Sequence, residues 1–279
     1  MLEIGPAARL IDVDPTASKI YEQFYDSGWT DGLPIIPPTP DLVDRMLKYT
    51  DRARHEVVCE LEPRGGVATV EKIAINSIMA GCRPEYLPVV ITVIEAINEP
   101  QYNIYGRQTT THPGAHLIII NGPIRNELDV NCRQNVFGQG WRANATIGRA
   151  VRLICANIGG GIPGVTDMAT HGHPGKYSFC IAENEAMNPW EPYHVEQGYR
   201  LEDSTVTVFA SEAPVGVMAG TSQPTQVLER LADRMSSAGV INMSVAKFGD
   251  VFICLGQDHI ELLRDEGWSK EDVRTLIWE

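Results

Sequence analysis

The chain has 279 residues, 43 per cent apolar and 21 per cent charged, which is long enough for one large domain or two intimate ones and too ordinary in composition for disorder. Its 36 acids against 23 lysines and arginines give a formal charge of −13, and with no basic run this excludes the footprint that a nucleic-acid backbone needs. The same acidic field repels anions, so an anionic ligand requires a local cluster of cations and helix ends.

The N-terminal stretch has no basic start followed by an apolar region, and nowhere do about eighteen apolar residues run unbroken. A soluble, cytoplasmic protein without membrane association is expected. Six cysteines, Cys59, Cys82, Cys132, Cys155, Cys180 and Cys254, contain no C-x-x-C pair and read as reduced and mostly buried.

Asp14 or Thr16 is placed to cap a first helix, with Ile20 and Phe24 on one face. Residues 28–40 hold Gly28, Gly32 and four prolines, a stiff extended loop in which Asp31 reads as a turn residue before Gly32. Thr39 then caps a helix with Pro40 at its first position. "HEVVCEL" is a strand candidate, and Thr69 opens a helix that ends at Gly81. A second helix over residues 85–96 is apolar on most sides, so both are expected inside the molecule. "GAHLIIING" reads as an interior strand, and "WRANATIGRAVRLICANIGGG" as a long amphipathic helix stopped by glycines.

The last third reads as strand "STVTVFA", helix "TQVLERLADRMSSAG", strands "INMSVAK" and "DVFICLG", and two closing helices, the last with Ser269 and Asp272 forming a near capping box. The expected fold is α/β, with mixed sheets, buried apolar helices and a C-terminal βαββα-like unit. The boundary is expected near residue 202, with a main domain over 1–202 carrying most polar motifs. Residues 203–279 form a unit packed on it or continuous with it.

Chemistry-capable residues concentrate in three places. Arg142 and Arg149 are seven apart and share a helical face, with Trp141, Asn144 and Thr146 in the first turns, where free N–H groups favour an anion. Thr111 and His112, in "TTTHP", pair a hydroxyl with an imidazole, the side-chain type most used for proton transfer. His116 points toward the following strand and reads as structural. In residues 170–194, His171 and His173 have the H-x-H spacing of metal ligands with Glu185 as the oxygen donor, an alternative to a metal-free site. Lys176 is placed to pair with a substrate or with Glu183, a candidate acid or base. Cys180, near a lysine and histidines, and Cys82, beside a helix end, are the candidate thiols. No G-x-G-x-x-G after a strand, Walker lysine motif or G-x-S-x-G elbow is present.

Together "GWTDGLPIIPPT", "ATVEKIAINSIMAGCRPEYLPVV", "TTTHP", "INGPI", "GWRANATIGRA", "GHPGKYSFCIAENE", "PWEP", "EDSTVTVFA" and "GWSKEDV" resemble the large domain found in, or next to, the UGSC-type (seleno)proteins of bacteria, an essentially uncharacterised family. The likeness covers nearly the whole chain. That family pattern sets a small thiol or selenol domain with Cys/Sec-Gly-Ser-Cys beside this one, and no such motif stands here. The resemblance therefore implies a separate thiol or selenol partner protein and polar motifs gathered into one site. The resulting expectation is an enzyme acting on a small anionic, carboxylate-bearing molecule by acid/base chemistry, lyase- or hydrolase-like, as a homo-oligomer. Arg142, Arg149, Trp141, Asn144, Thr146 and Thr111 bind the substrate, and His112, His173, Lys176, Glu183, Cys180 and Cys82 are the catalytic candidates. The alternatives are a metal-dependent hydrolase using the His-x-His and Glu cluster, and a non-catalytic subunit of a redox complex.

Overall fold

The structure, a computed structural model, describes residues 5, 7–237 and 251–278. Helix α1 (Ala17–Asp26) follows Thr16, and α2 (Pro40–Met46) starts at Pro40. Thr39 makes no side-chain cap bond, so the fixed proline torsion sets this start. Strands β1 (Val57–Leu61) and β2 (Gly66–Thr69) form an antiparallel hairpin. Thr69 then caps α3 (Val70–Ala80), its hydroxyl accepting a bond from the Lys72 N–H at 3.3 Å. The helix stops at Gly81, whose φ of 95° is left-handed and favours glycine. After a short 3₁₀ turn, α4 (Leu87–Asn98) is buried along Leu87, Val90, Ile94 and Ile97, as its apolar composition predicts.

A short helix α5 (Ile104–Gln108) precedes β3 (Ala115–Asn121), and α6 (Ile124–Glu127) follows it. Strand β3 is the centre of a three-stranded sheet of order β4–β3–β5, where β4 is Cys180–Ala182 and β5 is Thr205–Ser211. It runs parallel to β4, with Ile118 opposite Cys180, and antiparallel to β5, with Ala115 opposite Ser211. The sheet is thus mixed and the fold α/β. Period-two alternation divides its side chains: Ile118, Ile120, Cys180 and Ala182 join the core formed with α3, α4 and α7 (Arg142–Asn157), while Leu117, Ile119, Phe179 and Ile181 form a second cluster on the other face. Ile118 and Ile120 are fully buried, each contributing roughly 1.5–3 kcal/mol from the area removed from water.

Two expectations are corrected. The chain divides into a first unit of residues 1–183 and 198–213 and a second of 184–197 and 214–279, so the boundary does not fall at 202. The reason is β5, which joins the sheet of the first unit by pairing with β3 along seven residues instead of opening a C-terminal unit. Residues 251–256 are not a strand, and "INMSVAK" lies outside the described residues, so no βαββα unit is formed by what is described. The stretch before β4 is a 3₁₀ turn, Pro174–Lys176, because Pro174 lacks a ladder donor, and only Cys180–Ala182 is strand.

The second unit is helical among its described residues. Helices α8 (Tyr193–Glu196), α9 (Pro224–Met235), α10 (Gln257–Asp265) and α11 (Lys270–Trp278) surround a small core of Leu228, Leu263 and Val273, with Trp190 and Trp268 packed beside it. The Trp190 indole N–H donates to the Trp268 carbonyl at 2.9 Å, and Glu196 accepts from both Lys270 and Arg274 at 2.5 Å. The expected capping box is present: the Ser269 N–H donates to Asp272, and the Asp272 N–H to the Ser269 hydroxyl.

Candidate functional site

The densest chemistry lies near the N-terminal end of β3. Entering the strand, His112 donates its backbone N–H to the Thr110 hydroxyl at 3.0 Å, which closes a local turn. Antiparallel pairing with β5 then brings in Glu212, one residue beyond the strand and 100 residues along the chain, so that its Oε1 lies 2.7 Å from His112 Nε2. The other side of the ring faces the backbone near Gly114. An open groove of about 580 Å³ is lined here by Asn103, Arg107, Thr110, His112, Gly114 and Ala210. Arg107 is anchored from behind: Nε donates to the Tyr102 carbonyl at 2.5 Å, and the guanidinium carbon sits 4.8 Å from the centre of the Tyr102 ring. Its terminal nitrogens have no protein partner among the described residues and form a planar, charged fork.

A second, enclosed cluster lies beside the first. The Tyr102 hydroxyl and His116 Nδ1 share a 2.6 Å hydrogen bond, and His116 Nε2 lies 3.7 Å from Cys155 Sγ. Burial, helped by the positive charges of Arg152, Arg107 and Lys176, pushes the His116 imidazole down to about 3, so it is neutral at physiological pH. Burial likewise pushes the Cys155 thiol up to about 12. Asp167 accepts from Arg152 at 2.6 Å and from Lys176 at 2.8 and 2.7 Å. Burial works against ionisation of Asp167, but the two cations prevail and hold its carboxyl below the usual carboxylate range.

The sequence candidates fall into three separate places. His112 is in the groove, and Thr111 stands next to it, its carbonyl accepting from Thr170. His173 and Lys176 belong to the turn beside the enclosed cluster. Burial holds His173 below the ordinary imidazole range, and its ring packs edge-on to Phe179 at 5.9 Å. The pairing expected between Lys176 and Glu183 is corrected: the two stand at opposite ends of β4, and Glu183 accepts instead from the Asn121 amide at 2.5 Å.

The helix-face expectation for Arg142 and Arg149 is right in geometry and different in use. Both reach the C-terminal carbonyls of α3, Arg142 donating to Gly81 at 2.9 Å and Arg149 to Ala80 at 3.5 Å, where the helix dipole presents negative charge. Arg149 also forms a two-pronged pair with Asp31 at 2.7 and 2.8 Å and donates to the carbonyls of Leu33 and Pro34. Its donors are taken by the protein, and it ties the proline-rich loop to α7. Asn144 bridges backbone groups of Asn131 and Cys180, and the Thr146 hydroxyl donates to the Arg142 carbonyl one helical turn back. Trp141 is the residue before the helix and makes no side-chain cap bond.

The expectation of reactive thiols is corrected for both candidates. Cys82 donates to the Thr146 carbonyl at 3.3 Å, and burial pushes it up to about 12 despite Arg142 and Arg149 nearby. Cys180 is buried in β4 and is also pushed up strongly by burial. Neither is a thiolate near neutrality. His171, His173 and Glu185 do not gather: among the described residues no group of three His, Cys, Asp or Glu is arranged to hold a metal. The physical reason is β4, which separates the His-x-His turn from the glutamates.

The residues that sequence reasoning did not pick out as functional are Arg107, Glu212, Asp167 and Arg152. Arg107 and Arg152 do lie near candidate motifs, but Glu212 and Asp167 sit where no periodicity marks them. No helix among the described residues is long and apolar enough to cross a membrane. Comparison of the chain with protein-family models, curated proteins and solved structures finds no match.

Proposed function

We propose that this protein is an enzyme acting on a small carboxylate-bearing molecule by acid/base chemistry in the groove at the N-terminal end of β3. The observation that carries the reading is the 2.7 Å contact of His112 with Glu212, opening on a groove shared with the outward fork of Arg107. In an acidic protein an anion needs such a local cation, and a guanidinium held by a carbonyl and an aromatic face is preorganised for a carboxylate. His112 takes or gives the proton, while Glu212 orients the ring and stabilises the imidazolium that forms. The Thr110 hydroxyl is a further donor toward the bound molecule. Lyase and hydrolase reactions both suit this set. The cytoplasmic setting, a homo-oligomer, and the thiol or selenol partner implied by the family resemblance belong to the same reading. With both candidate thiols of this chain protonated, such a partner would supply the sulfur or selenium chemistry.

Titration of the purified protein with malonate, followed by the imidazole NMR signals of His112, tests the assignment. Malonate is expected to shift these signals in the wild type and to bind at least about tenfold more weakly to Arg107→Gln, the loss of one charge-assisted fork. Signals that do not move in the wild type, or equal binding to Arg107→Gln, would overturn the carboxylate assignment.

A further inference from the structure

The enclosed cluster beyond the groove has its own cavity, bounded by His116, Gly148, Arg152, Gly175, Lys176 and Phe179, and shares no lining residue with the groove. Its charges do not balance. Two cations line it, Arg152 and Lys176, and they face one acid, Asp167. The Asp167 oxygens are already engaged by Arg152, Lys176 and the Ala169 N–H. Arg152 and Lys176 have only 14 and 16 per cent of their side chains exposed, so solvent screens this surplus poorly. Arg152 also has donor capacity left over: its remaining contacts are long, 3.4 Å to Gln108 and 3.3 Å to the Gly161 carbonyl.

The cavity is closely walled. A methyl group added at Gly175 would stand 2.7 Å from His173 Cε1 and 2.9 Å from Phe179 Cδ1, and one at Gly148 would stand 2.4 Å from the Ser178 hydroxyl. The free space between the lining residues holds little more than one water-sized sphere, so only a small ligand fits, and the ring edge of Phe179 carries the positive end of its quadrupole. We propose that this cavity binds a small monovalent inorganic anion of halide size, held by Arg152 and Lys176, which neutralises the buried surplus of positive charge. This site is independent of the groove and does not need the groove reading to hold.

The test compares thermal unfolding of the whole protein in sodium chloride, sodium bromide and sodium gluconate at equal sodium concentration, with ³⁵Cl line widths measured alongside. Chloride and bromide are expected to raise Tm above its value in gluconate, which is too large to enter, and the protein is expected to broaden the ³⁵Cl line. Lys176→Met is expected to lose both effects. Arg152→Lys, which keeps the charge and changes the geometry, is expected to shift the chloride concentration for half-maximal effect. If Lys176→Met does not fold, this second variant decides. His112→Gln is expected to keep the full chloride response, so that failure of the groove assignment and failure of this one are told apart. Equal Tm in chloride and gluconate, or a chloride response unchanged by both Lys176→Met and Arg152→Lys, would overturn the proposal.

Discussion

Lys176 closes on Asp167, nine residues earlier, with its ammonium 2.8 and 2.7 Å from the two carboxylate oxygens, while Arg152 holds the same carboxylate at 2.6 Å. One acid therefore organises two cations contributed by α7 and by the turn before β4. Asp167→Asn would leave both cations half-satisfied at a site where the acid is only 5 per cent exposed. The expected loss is about 3 kcal/mol of unfolding free energy, the cost of breaking a buried ion pair from one side. Urea denaturation checks this, and Lys176→Met is expected to cost less, because Arg152 still pairs with Asp167.

What the sequence made legible followed from periodicity and caps. The strand at β3, the helix at α7, the Thr69 and Ser269 caps and the glycine stop at Gly81 are all written in short-range patterns, and the seven-residue spacing of Arg142 and Arg149 does place both on one face. What it did not show depends on distant pairing. Glu212 meets His112 only because β5 returns antiparallel to β3, and the same pairing moved the boundary between units. Asp167 lies in a glycine-punctuated loop with no period to mark it. For Arg149 the residue type was read correctly as an anion binder, but its anion is Asp31, 118 residues away.

The contact between Glu212 and His112 fixes more than distance. With Glu212 ionised, the Nε2 proton is held in that contact, which leaves Nδ1 of the neutral ring as the acceptor. Glu212→Gln removes the charge and releases this preference. Nitrogen-15 spectra of the imidazole at a pH where the ring is neutral are expected to show one tautomer in the wild type and a mixture in the variant. An unchanged tautomer in Glu212→Gln would mean that Glu212 does not orient the ring.

His116 makes the fold sensitive to acid. Its folded-state value of about 3 lies below the ordinary imidazole value of about 6.5, so between the two the unfolded chain binds a proton that the native protein does not. The stabilisation is fully present above about pH 6.5 and is lost progressively as the pH falls toward the folded-state value, with a slope approaching ~1.4 kcal/mol per pH unit. His116→Asn, whose amide can still meet the Tyr102 hydroxyl, is expected to flatten the stability profile between pH 6.5 and pH 4. Denaturation midpoints across that range, in a fixed anion, provide the measurement.

Gly148 sets how closely α7 approaches the strand that follows the cation turn. A methyl group at this position would stand 2.4 Å from the Ser178 hydroxyl, 2.7 Å from the Phe179 backbone nitrogen and 3.2 Å from the Ser178 Cα. The hydroxyl is not free to rotate away, because it donates to the Asn144 carbonyl at 3.0 Å, and the other two atoms are backbone. The helix and the start of β4 must therefore separate. Helix propensity alone favours alanine over glycine by about 1 kcal/mol, so an exposed Gly→Ala change in α7 would stabilise the protein. Here the sign reverses: Gly148→Ala is expected to cost roughly 1–3 kcal/mol, the usual range for overpacking a well-filled interior. It also displaces Phe179, a wall of the enclosed cavity, so the variant is expected to lose stability by urea denaturation and to alter the chloride dependence together. Gly148→Ala with wild-type stability would show that α7 and β4 do not meet as closely as Gly148 and Phe179 do in this structure.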